Sequence, residues 1–235
     1  MRHIELRSYP ECNEMLKKAR LKGEAWKDLS TDPKRGSLLR QRKADEQGGL
    51  CGYCECRLTE TDGTLRRGCS RLDHVLPQSR YGKLTFEWGN LILSCPCKDH
   101  CDCYKGNEIG IIDPHKENPR DFITFAFDAL REPHNVSAVA SSRLDEQEEK
   151  RANDTIRILN LNDVSLEKER CNRWWVVHDQ IEELFDRVAG AESVTSLREE
   201  ARRLRKEIEE GEFPSAMLSL SHDLLSLLTG EEASD

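Results

Sequence analysis

The residues that invite chemistry lie close together in the chain. Cys51 and Cys54 stand at C-x-x-C spacing, and a second group, Cys95, Cys97, Cys101 and Cys103, follows about forty residues later. Zinc takes four soft ligands in a tetrahedron, and a C-x-x-C turn offers two thiolates from one tight loop. Eight of the ten cysteines fall in this one stretch, which in a chain expected to be cytosolic points to metal rather than disulfides. The second group is over-supplied: Cys95, Cys97, Cys101, Cys103 and His100 compete for two places. Cys95 ends an apolar run and Cys101 opens the helix expected after it, so that pair suits the geometry best. Cys56, Cys69, Cys97 and Cys103 are then small hydrophobes. Taken alone, the cysteines read as a structural zinc ribbon.

Between the two groups, Asp73 and His74 sit side by side in LDHVLP, a run with strand character. Neighbours in a strand face opposite ways, and a lone Asp-His pair is usually structural. Three further residues change that reading. Asn90 opens the run NLILS, Asp102 directly follows Cys101, and Lys105 lies one helical turn beyond Asp102.

The elements that must position these residues are short. Residues 10–22 predict a helix ended by Gly23, and 37–47 predict another with Ser37 as N-cap and a stop at Gly48-Gly49. LDHVLP and NLILS predict strands. From about residue 143 the pattern is helical. Trp174, Val177, Ile181, Leu184 and Val188 repeat at spacings of three and four, as do Leu197, Ala201, Leu204 and Ile208. Ser196 and Glu199 predict a capping box, and Pro214 a first helical position in a last helix running to Gly230. The tail EEASD is expected to be disordered. The expected organisation is an N-terminal helical region (1–50), a core (51–110), a connecting segment (111–140) and a C-terminal helical region (141–235). Trp26 and Trp88 are expected in the core.

The order C-x-x-C, DH-x-x-P, NL-x-x-x-C and C-D-x-x-K-G resembles the zinc-binding HNH endonucleases. The resemblance implies an α+β, mainly helical fold, in which a ββα-metal core with a structural zinc knuckle is flanked by helices. Cys51, Cys54, Cys95 and Cys101 would hold the zinc. His74 would be the general base, and Asp73 and Asp102 would hold a catalytic Mg²⁺ or Mn²⁺. Asn90 would pin the loop and orient His74, and Arg80 and Lys105 would touch phosphate oxygens. Phosphodiester hydrolysis needs an activated water and a cation against the developing charge, and a neutral histidine can take the proton near pH 7. Asp102 departs from the Asn or His usual at its position, a mild change because aspartate is a normal ligand for magnesium.

LLRQRKADEQGGLCGYCE before the core, and IIDP, NPRDFITF and TIRILNLN after it, resemble the PtuB family of HNH subunits in Septu anti-phage systems, also found with some retrons. This implies an ABC/AAA-like ATPase partner, PtuA, and in the retron setting a reverse transcriptase with its msDNA. The C-terminal helices would dock on that partner, with Trp174-Trp175 and Leu218, Leu220, Leu224, Leu225, Leu227 and Leu228 as candidate surface, although each of them singly is expected in the core of the helical half.

Charge fits such a division. The net charge of −8 splits into +4 over residues 1–110 and −12 over the rest. The core itself is balanced, with 8 basic and 8 acidic residues in 51–110, so a partner is expected to help form the nucleic-acid groove. The substrate is expected to be DNA, with RNA the other possibility, because such a site contacts mainly phosphates. Two further readings share the residues: a zinc-scaffolded adaptor without catalysis, and a toxin-like nuclease directed at tRNA. No apolar run reaches the length of a membrane span and no secretory leader opens the chain, so a cytoplasmic protein with no membrane partner is expected.

Overall fold

The computed structural model describes residues 1–131, 133–189 and 193–229, without the side chains of Val188, Ala189 and Val194. Val188 of the periodic series, Gly230 and the EEASD tail therefore lie wholly or in part outside the described residues. The chain divides into two compact units, Met1–Phe122 with Ala140–Leu161, and Ile123–Val139 with Asn162–Asp235. About half of the chain is helical, with two small two-stranded sheets, an α+β protein.

In the first unit, α1 (Pro10–Leu21) buries Cys12, Leu16 and Ala19, whose spacings of four and three place them on one face. Proline starts it, and Gly23 ends it at φ +64°, where Gly23 N–H and Glu24 N–H bond to Arg20 O and Ala19 O. A short helix unmarked by its sequence pattern, α2 (Trp26–Thr31), follows. The next, α3 (Arg35–Glu46), begins two residues before Ser37, because Asp32 Oδ1 accepts the N–H groups of Lys34 and Arg35. These helices enclose a core of Leu16, Leu29, Leu39, Trp88 and Leu91. Trp88 is buried there as expected, whereas Trp26 is half-buried beside the cleft described below.

An ion pair lies inside this core. Lys43 Nζ is 2.6 Å from Glu46 Oε1, both side chains are fully buried, and Glu46 Oε2 accepts from Trp88 Nε1 and Arg7 N. Burial pulls the Lys43 pKa down to about 8, against the opposing pull of Glu46. Removing one member strands the other. Lys43→Met is expected to cost about 3–5 kcal/mol in urea denaturation. Adding Glu46→Gln, which keeps the acceptor for Trp88 and Arg7, should recover most of it. A double variant as unstable as the single one would show that the pair is not the cause.

The strands β1 (Arg71–His74) and β2 (Leu91–Ser94) pair antiparallel, with Asp73 opposite Ile92 and His74 opposite Leu91. The helix α4 (Cys101–Lys105) follows β2, and α5 (Glu146–Ile158) packs on α4. Asp145 caps α5 through a capping box with Glu148. Residues 141–161, expected with the C-terminal region, belong to this unit because Thr155 Oγ1 accepts Ile112 N–H and Leu159 O accepts Cys101 N–H.

The second unit holds a sheet of β3 (Ile123–Asp128) and β4 (Asn135–Ala140), so much of 111–140 is folded structure rather than a connector. With it are α6 (Val164–Ala189), α7 (Val194–Glu210) and α8 (Pro214–Thr229). The faces Trp174, Val177, Ile181, Leu184 and Leu197, Ala201, Leu204, Ile208 are buried, as their periodicity requires. The capping box at Ser196 and Glu199 is absent: α7 starts earlier, with Ser193 as N-cap and no side-chain cap, so Ser196 lies inside the first turn. Trp174, Leu225 and Leu228 are core residues, and Trp175 and Leu227 are exposed. No helix among the described residues is long and apolar enough to cross a membrane.

Candidate metal centre and active-site cleft

The thiols of Cys51, Cys54, Cys95 and Cys101 lie within 4.8 Å of one another, all buried. The Cys51–Cys101 and Cys54–Cys95 Sγ separations are each 3.9 Å. A tetrahedron with bonds of about 2.3 Å has edges of about 3.8 Å, so four thiolates at these positions fit a zinc ion. Cys95 N–H points at Cys51 Sγ over 3.3 Å, the kind of hydrogen bond that stabilises a bound thiolate. All ten cysteines are free thiols. His100 is buried with Nδ1 3.2 Å from Cys101 Sγ, while Cys56, Cys69, Cys97 and Cys103 lie outside the set of four.

Cys101 reaches the centre through a backbone conformation unusual for cysteine, φ +59°. The segment 155–160 holds it there. Leu159 O accepts Cys101 N–H at 2.8 Å, and Asn160 Nδ2 donates to Asp99 O at 2.7 Å. The TIRILNLN stretch, which carries no chemistry of its own, therefore positions one corner of the metal centre.

Asp73, His74 and Asp102 line one cleft of about 450 Å³, with Trp26 and Arg71. His74 Nε2 is 3.0 Å from Thr85 O. A carbonyl only accepts, so Nε2 carries the proton and Nδ1 keeps its lone pair. The Trp26 ring packs edge-on against the imidazole, 4.7 Å between centroids. Burial, the largest influence, holds His74 below the usual histidine pKa despite the Thr85 carbonyl and the Asp73 charge, so the ring is neutral at pH 7.

Asp73 Oδ2 accepts from Tyr53 Oη at 2.6 Å and lies 3.1 Å from Lys105 Nζ. Lys105 is buried and also donates to His74 O at 3.1 Å. Its ammonium is turned to these two partners, and Lys105 does not line the cleft. Arg80 is exposed and does not line the cleft. Asp102 lies beside Asp73, and burial, then the Asp73 charge, raises its pKa to about 7. Arg71 Nε lies 2.9 Å from its Oδ2 as an ion-pair partner. Two neighbouring carboxyls are a donor set that suits a hard divalent cation.

Asn90 ends a 3-10 turn immediately before β2. Its side chain receives Leu76 N–H at 2.8 Å and donates to Leu76 O and Leu84 O at 3.0 and 3.2 Å. The loop after His74 is thus tied down by one residue, which touches His74 only through the loop. Asn90→Ala is expected to cost about 2–4 kcal/mol, since three backbone groups lose their partner. Faster tryptic cutting after Arg80 would report the loosened loop, and an unchanged melting temperature would refute the assignment. Tyr53, Thr85, Trp26 and Arg71 are site residues not marked by sequence. Only Tyr53, enclosed by the C-x-x-C knuckle, carried a positional hint.

Fold and site together define an α+β protein in which a four-cysteine cluster able to hold zinc joins a two-stranded sheet to a short helix beside a carboxylate–histidine cleft. No family model matches the chain. A curated protein named Septu protein PtuB, from Bacillus thuringiensis, is 32% identical to it over 74 residues, 31% of this chain and 27% of that protein. The chain thus spans about a quarter of the length of the curated relative it matches.

Proposed function

We propose that the chain is a metal-dependent endonuclease of the HNH type, its ββα-metal core formed by β1, β2 and α4, acting in a Septu-type anti-phage defence complex with an ATPase partner, PtuA. The observation that carries this reading is the convergence of a neutral His74, with Nδ1 as base, and the Asp73–Asp102 pair on one cleft. The similarity to a Septu protein supports the biological setting.

In this reading His74 Nδ1 takes the proton from a water as that water attacks phosphorus, and the bond to the leaving oxygen breaks. Asp73 and Asp102 would hold a divalent cation, which would supply positive charge against the charge developing on the phosphate. Lys105 and Tyr53 orient Asp73, Trp26 and Thr85 orient His74, and Asn90 holds the loop. Lys105 acts as a positioning residue rather than a phosphate contact.

The test is cleavage of supercoiled plasmid and, separately, of bulk tRNA. Wild type and His74→Ala are compared with Mg²⁺, Mn²⁺ or EDTA, with and without co-expressed ATPase. Metal-dependent cutting by wild type alone supports the reading and separates DNA from RNA. Absence of cutting in every arm overturns it and leaves a zinc-scaffolded adaptor.

A further inference from the structure

We propose that a groove leading from the His74 cleft past Arg40 to the turn at residues 66–69 is the track for the sugar–phosphate backbone of a polynucleotide, with Lys27, Arg66 and Arg67 as its phosphate contacts. The inference rests on the nuclease reading for its purpose but on separate residues for its evidence.

The cleft does not end at the catalytic residues. A second cavity of about 720 Å³ lies between α3 and the 64–70 segment, and Arg40 and Ser70 line both, so the two adjoin. Its electrostatics run against the rest of the molecule. The chain carries 44 acidic and 36 basic residues. Yet among the described residues, Asp73 and Asp102 are the only acidic side chains lining either cavity. Lys27, Arg40 and Arg71 line the first, and Arg40, Arg66 and Arg67 the second. Apart from the carboxyl pair suited to a cation, the walls present one sign of charge to whatever enters, which concentrates a polyanion there.

The turn is built to present those cations. Cys69 N–H bonds to Arg66 O at 3.2 Å, and Gly68 adopts φ +75°, a conformation costly for any residue with a Cβ. Arg67 is exposed, and Arg66 has its guanidinium 3.6 Å from the exposed Glu60. Arg40 is held in place by a bond from Nη1 to Ser30 O at 2.9 Å. The remaining walls of the second cavity are aliphatic or small and polar, such as Leu38, Gln41 and Thr64. None is aromatic, and the one aromatic ring of the first cavity besides His74, Trp26, is packed on that histidine. A surface of cations without stacking platforms grips phosphates and does not read bases.

The test uses the full chain carrying His74→Ala, so that the probe stays intact. Binding of a fluorescein-labelled 20-mer DNA duplex, and of an RNA of the same length, is followed by anisotropy between 50 and 200 mM salt. Lys27→Ala/Arg67→Ala and Arg66→Ala/Arg67→Ala are expected to weaken binding about tenfold or more. Each should also flatten the slope of log affinity against log salt by about one for every phosphate no longer neutralised. Lys150→Ala, an exposed lysine on α5, should bind as the parent does, and melting curves check that each variant is folded. Groove variants that bind with the parent's affinity and slope, or a parent that binds neither probe at 50 mM salt, overturn the track. If binding depends on the groove but wild type never cuts, the track stands and the nuclease reading falls. If wild type cuts and the groove variants bind normally, the track alone falls.

Discussion

A chain carrying Cys101→Ser is expected to purify without zinc and to lose more than about 4 kcal/mol of stability, the range reached when a protein loses a structural metal. Cys101 supplies one of four buried thiols within 4.8 Å, and its removal leaves three ligands where structural zinc takes four. The strands on either side are four residues each, and α4 is five. Elements this short are not stable alone, and the metal links the 51–54 knuckle to the end of β2 and the start of α4. Zinc content by elemental mass spectrometry and the midpoint of urea denaturation report the two effects. Chelation of wild type should reproduce the variant. Cys103→Ser, outside the cluster, should keep its zinc. A Cys101→Ser protein with the wild-type midpoint would show that no structural metal is held there.

The second large effect concerns rate rather than stability. Under the nuclease reading, His74→Ala should lower single-turnover cleavage by about 10²–10⁴-fold, the usual contribution of a general base. Without the imidazole, the bond to Thr85 O and the packing against Trp26 disappear at some cost in stability, so circular dichroism and melting must accompany the rate. Partial rescue by millimolar imidazole would separate a missing base from a disturbed fold. Activity within a few-fold of wild type would remove His74 from the chemistry and leave the carboxyl pair without a base.

Much of this molecule is local in origin and so was legible in the chain. Apolar spacings of three and four determined the buried faces of α6 and α7, because a helix repeats every 3.6 residues whatever surrounds it. Gly23 and Pro214 marked helix ends through backbone restrictions that act within one turn. The runs LDHVLP and NLILS, bounded by polar and turn-forming residues, became the paired strands, and C-x-x-C spacing announced a metal knuckle.

Only the tertiary structure decided which side chains meet. Sequence position favoured Cys95 and Cys101 among the five candidates to join Cys51 and Cys54, but their thiols meet only in the folded chain. That meeting depends on the β1–β2 register and on a left-handed Cys101 held by residues 155–160, more than fifty positions away. Lys105 turned inward to Asp73 and the His74 carbonyl, and helical spacing alone says nothing about which side of a helix meets a neighbour. Trp26 reached His74 through α2, too short to leave a periodic signal. Local order follows from restrictions within a few residues, whereas a site joins residues from distant segments, and their meeting is set by how the whole chain packs.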